Sequence, residues 1–220
     1  MQKTVLSVVA VAALLLLVSC SKDDNGGQLS YQLKTKNPSA TVSRTSSGSI
    51  TWTSGSAYAD KIEFEAEKDD DDEVEFESRV ARRIDLFAPV SELGNITLAP
   101  GRYEEIEIEI DLARSATDTA FILRGSFTNN IGFTVPVVFY INELLEFKAE
   151  AEDVTIGSAA DITALTTLDL SLLTTGITEA MLSMATLTNG VLVISATSNT
   201  SLYSTILSNI NNIDDVELDD

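Results

Sequence analysis

Tyr103-Glu104-Glu105-Ile106-Glu107-Ile108-Glu109-Ile110-Asp111-Leu112 decides the fold. Ile106, Ile108, Ile110 and Leu112 fall on one side of an extended chain, and Glu105, Glu107, Glu109 and Asp111 on the other. A period of two with one apolar and one charged face is the mark of a half-buried strand in an antiparallel sheet. The pattern recurs over Lys61 to Glu67, with Ile62, Phe64 and Ala66 inward. It recurs again over Glu73 to Val80, with Val74, Phe76 and Val80 inward.

Working outward, further strands are expected at Tyr31 to Lys36, Ser49 to Ser54, Ala120 to Thr128, Gly132 to Ile141 and Leu145 to Ala149. Pro136 cannot donate to a ladder, so its strand is expected at a sheet edge or with a bulge. Ala99-Pro100-Gly101 and Asn129-Asn130 are turn signals. The fold class is therefore mainly β: an antiparallel β-sandwich over residues 31–157, with one or two short C-terminal helices. After Gly157 the composition shifts to Thr, Leu, Ser and Ala, and residues 158–213 form a strand/helix extension packing on the sandwich. The alternation of Leu168, Leu170 and Leu172 predicts one strand there, and Val191 to Ile194 a second, brief one. Helices are expected over Ile177 to Ala185 and Ser201 to Asn211, the latter capped by Asn199 or Thr200. The acidic tail, 214–220, is expected to fray.

The hairpin from Lys61 to Arg79 poses an electrostatic problem. Symmetric pairing sets Glu67 against Glu73, Glu65 against Glu75, Glu63 against Glu77 and Lys61 against Arg79. Like charges directly opposite one another destabilise a sheet. Relief must come from basic side chains (Arg79, Arg82, Arg83 or Arg102), from solvent, or from a bound cation. Ca²⁺ takes 6 to 8 oxygen ligands in irregular geometry, which makes Asp69, Asp70, Asp71, Asp72 and Glu73 a candidate calcium loop. A merely soluble charged loop is the competing reading, since the Asp-x-Asp-x-Asp-Gly spacing is absent.

The N-terminus carries different information. A basic residue, Lys3, precedes an apolar run from Val5 to Val18 that is broken only by Ser7. That run is shorter than the roughly 20 residues a spanning helix needs. Leu17-Val18-Ser19-Cys20 resembles the lipobox of bacterial lipoproteins. The resemblance implies a signal peptide over 1–19, removed before Cys20, and a sulfur that carries diacylglycerol on a tether over 20–30. Ser21, Lys22, Asp23 and Asp24 resemble the sorting signal of Bacteroidota lipoproteins bound for the outer face of the outer membrane. The expected location is thus the outer membrane, lipid-anchored and facing outward. Without Lys3 the chain keeps 13 of its 14 basic residues against 34 acidic ones, a net of −21. Such a field repels nucleic acid and leaves the lipid as the membrane contact.

Ile84-Asp85-Leu86-Phe87, then Leu98-Ala99-Pro100-Gly101-Arg102-Tyr103 and an alternating strand, resemble a family of uncharacterised bacterial lipoproteins. Their hallmark is a Leu-Pro-Ala-Gly-x-Tyr turn; here the order of Pro and Ala is inverted. The resemblance covers residues 30 to 155 and implies a β-sandwich but no activity.

The chain has no histidine, the side chain most used for acid–base work near neutral pH. Once acylated, its single cysteine offers no thiol. No Ser-x-x-Lys, Gly-x-Ser-x-Gly, phosphate loop or zinc spacing is present. Carboxylate pairs of the glycosidase kind arise by accident in so acidic a chain. Trp52, Tyr58 and Tyr103 are expected in the core rather than as sugar platforms. Thr119, in Asp118-Thr119-Ala120, is a candidate for O-glycosylation on an exposed loop. The expectation is a surface lipoprotein that is not an enzyme, a binding or structural module for an unknown protein or glycan. The alternative is a glycan- or Ca²⁺-dependent ligand-binding lipoprotein of a nutrient-capture or adhesion system.

Overall fold

One strand organises the molecule. In the computed structural model, which describes residues 26–41, 48–68, 73–158, 160–210 and 214–219, β3 (Ser49–Lys68) runs unbroken for 20 residues. It joins two segments that the sequence sets apart, because Gly55-Ser56-Ala57 hides the alternation rather than ending the strand. The register shifts near Trp52 and near Ala59. Gly55 is there for lack of room: a Cβ would meet Leu123 Cδ2 at 2.6 Å and the Ile122 carbonyl at 2.9 Å.

Along one edge of β3 lie β2 (Ser39–Thr41) and then β4 (Glu73–Asp85), end to end. Along the other lie β7 (Phe121–Thr128) and β6 (Gly101–Leu112), again end to end, separated by the loop 113–120. Outside these, β8 (Thr134–Ile141) pairs with β7 and β9 (Leu145–Ile156) with β6. β12 (Val191–Ile194) and β11 (Leu187–Thr188) extend the sheet beyond β8. β12 joins β8 only from Val137 onward, so Pro136 lies just before that pairing, opposite Ser126. Its strand is interior and unbulged, which corrects the expectation of an edge or bulge.

The second sheet has the order β13-β10-β1-β5, with β1 at Gly27–Lys36, β5 at Ser91–Leu98, β10 at Asp161–Asp169 and β13 at Asp214–Asp219. It covers the half of the long sheet made by β4, β6, β9 and the second part of β3. The Tyr31 and Phe64 rings meet between the layers, their centroids 6.3 Å apart. The mainly β, sandwich-like class is the observed one. The Pro100-Gly101 turn does not close a hairpin: it carries the chain from β5 in one sheet to β6 in the other. The Tyr103 hydroxyl fixes that corner by donating to the Ala99 carbonyl at 2.8 Å.

The other half of the long sheet is covered by the C-terminal segment. Helices α1 (Glu179–Ser183) and α2 (Thr200–Ile210) form there, with a 3-10 turn at Leu172–Thr174. Tyr203 of α2 stacks near Phe139, which in turn meets Phe121. Thr178, not foreseen as a cap, accepts the Met181 N–H at the start of α1. The Asn199 side chain does not cap α2. It bridges Thr186 and Val193 instead.

Several expectations need correction. Residues 158–213 are no mere extension, since β10 pairs in parallel with β1 and sits inside the second sheet. The strand expected at Leu168, Leu170 and Leu172 is present only at its start: Leu168 lies in β10, which ends at Asp169, and Leu172 lies in the 3-10 turn. The acidic tail does not fray over 214–219, which forms β13 antiparallel to β10. Phe76 was expected inward but is 42% exposed, because β4 overhangs the second sheet.

Candidate binding surfaces

The hairpin register read from the sequence is the observed one. Glu67 faces Glu73, Glu65 faces Glu75, Glu63 faces Glu77 and Lys61 faces Arg79. The repulsion reaches further than a single hairpin. On the other edge of β3, Glu63, Glu65 and Glu67 face Glu109, Glu107 and Glu105. Beyond β6, Glu105 faces Glu152, Glu107 faces Glu150 and Asp111 faces Glu146. Strict alternation in all four strands makes this unavoidable: burying Ile62, Phe64, Ile106, Ile108 and Ile110 turns every intervening carboxylate outward. A groove of about 390 Å³ lies among Glu63, Glu65, Glu75, Glu77, Glu107 and Glu109.

Two lysines relieve the crowding. Lys148 Nζ lies 2.7 Å from Glu107 and 3.8 Å from Glu150. Lys61 Nζ lies 2.6 Å from Glu63 and 3.4 Å from Asp111. Both ammonium groups are held above their ordinary pKa, chiefly by the hydrogen bonds to Glu107 and Glu63 respectively. The arginines expected to serve here point elsewhere. Arg79 approaches Asp60 at 3.7 Å, Arg83 approaches Asp118 at 3.9 Å, and Arg102 pairs with Asp153. Relief is incomplete. Glu105 is pushed above the usual carboxylate range, first by Glu150 and then by desolvation and Glu107. Glu109 is pushed up by burial, with Glu146, Asp111 and Glu63 adding to it.

Two trios bring carboxylate oxygens within 4.8 Å of one another: Glu105, Glu107 and Glu150, and Glu109, Asp111 and Glu146. They are the places among the described residues where three carboxylates could share a cation. A lysine ammonium already contacts each trio.

The calcium loop expected from the sequence lies outside the described residues at Asp69, Asp70, Asp71 and Asp72. Glu73 is described by its backbone alone. Cys20, Ser21, Lys22, Asp23 and Asp24 are likewise outside. Thr119 is half-buried in the 113–120 loop, next to the Asp118 turn that the Ser115 hydroxyl organises. Trp52 and Tyr103 are core residues, 1% and 0% exposed. Tyr58 is not. Ala57 and Ala59 point inward, so Tyr58 points out from the centre of the long sheet, where it faces Arg83.

That central region holds what the sequence did not reveal. Ser54, Gly55, Ser56, Arg83, Asp85, Ile122 and Arg124 line a groove of about 400 Å³ on the outer face of β4, β3 and β7. Two strand pairings, β4 on β3 and β3 on β7, assemble it by their registers, and one sequence carries no trace of them. The only available signal was the scarcity of basic residues, which makes Arg82-Arg83 and Arg124 conspicuous.

Among the described residues no helix is long and apolar enough to cross a membrane. No family model matches the chain, and no curated protein or solved structure matches it.

Proposed function

We propose that the protein is a lipid-anchored, non-catalytic binding module on the outward side of the outer membrane, and that its carboxylate face engages a basic partner protein. One observation carries the reading: carboxylates face carboxylates across β4, β3, β6 and β9 in fixed register, with two lysines to offset them. Cross-strand like-charge pairs cost stability, so a face built from them is better explained by an occupant than by solubility. A concentrated field of one sign raises the encounter rate of an oppositely charged surface and loses that advantage in salt. Lipidation at Cys20 and surface sorting through Ser21 to Asp24 supply the location.

The two carboxylate trios favour a second reading, in which a divalent cation bridges the face to a ligand such as a glycan. Calorimetry with a lysine-rich peptide, and separately with millimolar Ca²⁺, distinguishes the two. The first reading requires peptide binding that weakens steeply with salt and is lost in a Glu65→Gln, Glu107→Gln variant. The second requires a Ca²⁺-dependent rise in Tm that disappears in Glu105→Gln, Glu109→Gln. Neither response in the wild type removes the carboxylate face as a binding surface. Mass spectrometry of the native N-terminus tests the anchor, and an unmodified Cys20 would refute it.

A further inference from the structure

We infer that the groove at the centre of the long sheet binds an acidic sugar, a saccharide unit that carries a carboxylate. The site uses none of the residues of the carboxylate face, so either can fail alone.

Register builds the groove. Ser56 pairs with Asp85 on one side and Ile122 on the other. Arg83 lies two residues before Asp85 on the same face, and Arg124 two residues after Ile122. The two guanidinium groups therefore flank Ser56 diagonally, in a space of about 400 Å³, within the range of small-molecule sites. Arg83 makes only a long contact of 3.9 Å with Asp118, through Nε, and 66% of its side chain is exposed. Arg124 forms no salt bridge with a described residue. Ser56 lies at the floor of the groove, only 8% exposed as a residue, with its hydroxyl open to the groove and bonded to no described group, so it is available to a ligand.

The donor and acceptor set narrows the ligand class. Two arginines and two serine hydroxyls present donors suited to a carboxylate, which guanidinium binds with matched geometry. Asp85 is different. Its Oδ1 already accepts the Phe87 N–H at 2.9 Å, and its side chain adds a negative charge to the lining. That charge penalises sulfate, phosphate or any dense polyanion. It favours a ligand whose carboxylates are set apart, one to a sugar ring, and accompanied by hydroxyls able to donate to it. Tyr58 stands directly opposite Arg83, and Tyr140 opposite Ile122, both half-buried on the outer side and next to the lining rather than part of it.

Calorimetry of the purified protein with trigalacturonate, its neutral methyl ester and inorganic sulfate tests this. The acid form is expected to bind at least tenfold more tightly than the ester or sulfate. Arg83→Gln and Arg124→Gln should each weaken it by about 10- to 100-fold, the loss of a charged hydrogen bond. Both side chains are exposed, and an unchanged Tm verifies that the variants fold. Asp85→Asn keeps the Oδ1 acceptor, so it should weaken trigalacturonate while strengthening sulfate. Absent binding, equal binding of acid and ester, sulfate matching the sugar, or indifference to both arginine substitutions would overturn the proposal.

Discussion

The two halves of the long sheet share a backbone but not a surface. Where β3 pairs with β7 and β2, the outward residues are hydroxyls. Ser49 faces Thr128, Thr51 faces Ser126, and Thr128 bonds Thr134 across the next strand at 2.9 Å. Where the same strand pairs with β4 and β6, the outward residues are carboxylates that face carboxylates. The hydroxyl half shows that threonine and serine suffice to keep this sheet wet, and threonine also favours the strand conformation. Charge in the other half is thus an addition with a cost. The arginine groove lies at the boundary, where the field changes character.

The inner faces also differ, and the largest effect separates them. Phe64 is covered by the second sheet, while Trp52 lies in the half capped by the C-terminal segment. Phe64→Ala and Trp52→Ala should each cost about 3–5 kcal/mol. Because β3 spans both halves without interruption, the loss should be felt as one transition. In Phe64→Ala, Trp52 fluorescence and far-ultraviolet circular dichroism are expected to melt together. Two separated transitions would mean that the halves are independent units and that β3 does not couple them.

A smaller effect sharpens the contrast between the outer faces. Glu65 is exposed and stands between Glu75 and Glu107. Glu65→Gln removes two opposed pairs without changing shape. At 0.2–1 kcal/mol per pair, it should stabilise the protein by about 0.5–2 kcal/mol at low ionic strength. The gain should shrink in salt as the Debye length falls to about 3 Å near 1 M. An unchanged Tm at low salt would show that the carboxylates repel too weakly to need any other explanation.

How much of this was legible beforehand follows from the physics of strands. Alternation over Glu105 to Leu112 and Lys61 to Glu67 gave the strands, their faces and even the Glu–Glu register of the hairpin, since one-residue slips would bury charge. The same rule could not see Phe76, whose exposure depends on where the second sheet stops. β5, Ser91-Glu92-Leu93-Gly94-Asn95-Ile96-Thr97-Leu98, went unread because Gly94 and Asn95 disfavour a strand and its register shifts at Tyr31. β10 has buried threonines at 166 and 167 in place of alternation, as suits a strand paired on both edges. The groove was invisible for a different reason. Arg83, Ser56 and Arg124 come from three strands, and Tyr58 reads as core until the small residues on either side of it are seen to be the inward ones.

The smallest effect concerns pH, and its sign sets the carboxylate face apart from ordinary acidic surfaces. Glu105 and Glu109 have folded pKa values raised by Glu150 and by burial respectively. The native state therefore holds their protons more tightly than the unfolded chain, and stability falls as pH rises from the ordinary carboxylate range through the folded values. Glu143 acts in the opposite sense, because the Tyr203 hydroxyl donates to it at 2.6 Å and holds it low. Asp169 does too, its burial being outweighed by hydrogen bonds from Ser171 and Asn37. Those two contribute stability that is lost only as pH falls through and below the ordinary range. Tm is accordingly expected to rise modestly as pH falls from neutral toward the ordinary carboxylate range, then fall as pH drops through and below that range. Glu109→Gln should remove part of the rise and leave the fall intact. A wild-type Tm that declines steadily from pH 7 downward would mean that Lys61 and Lys148 already neutralise the face.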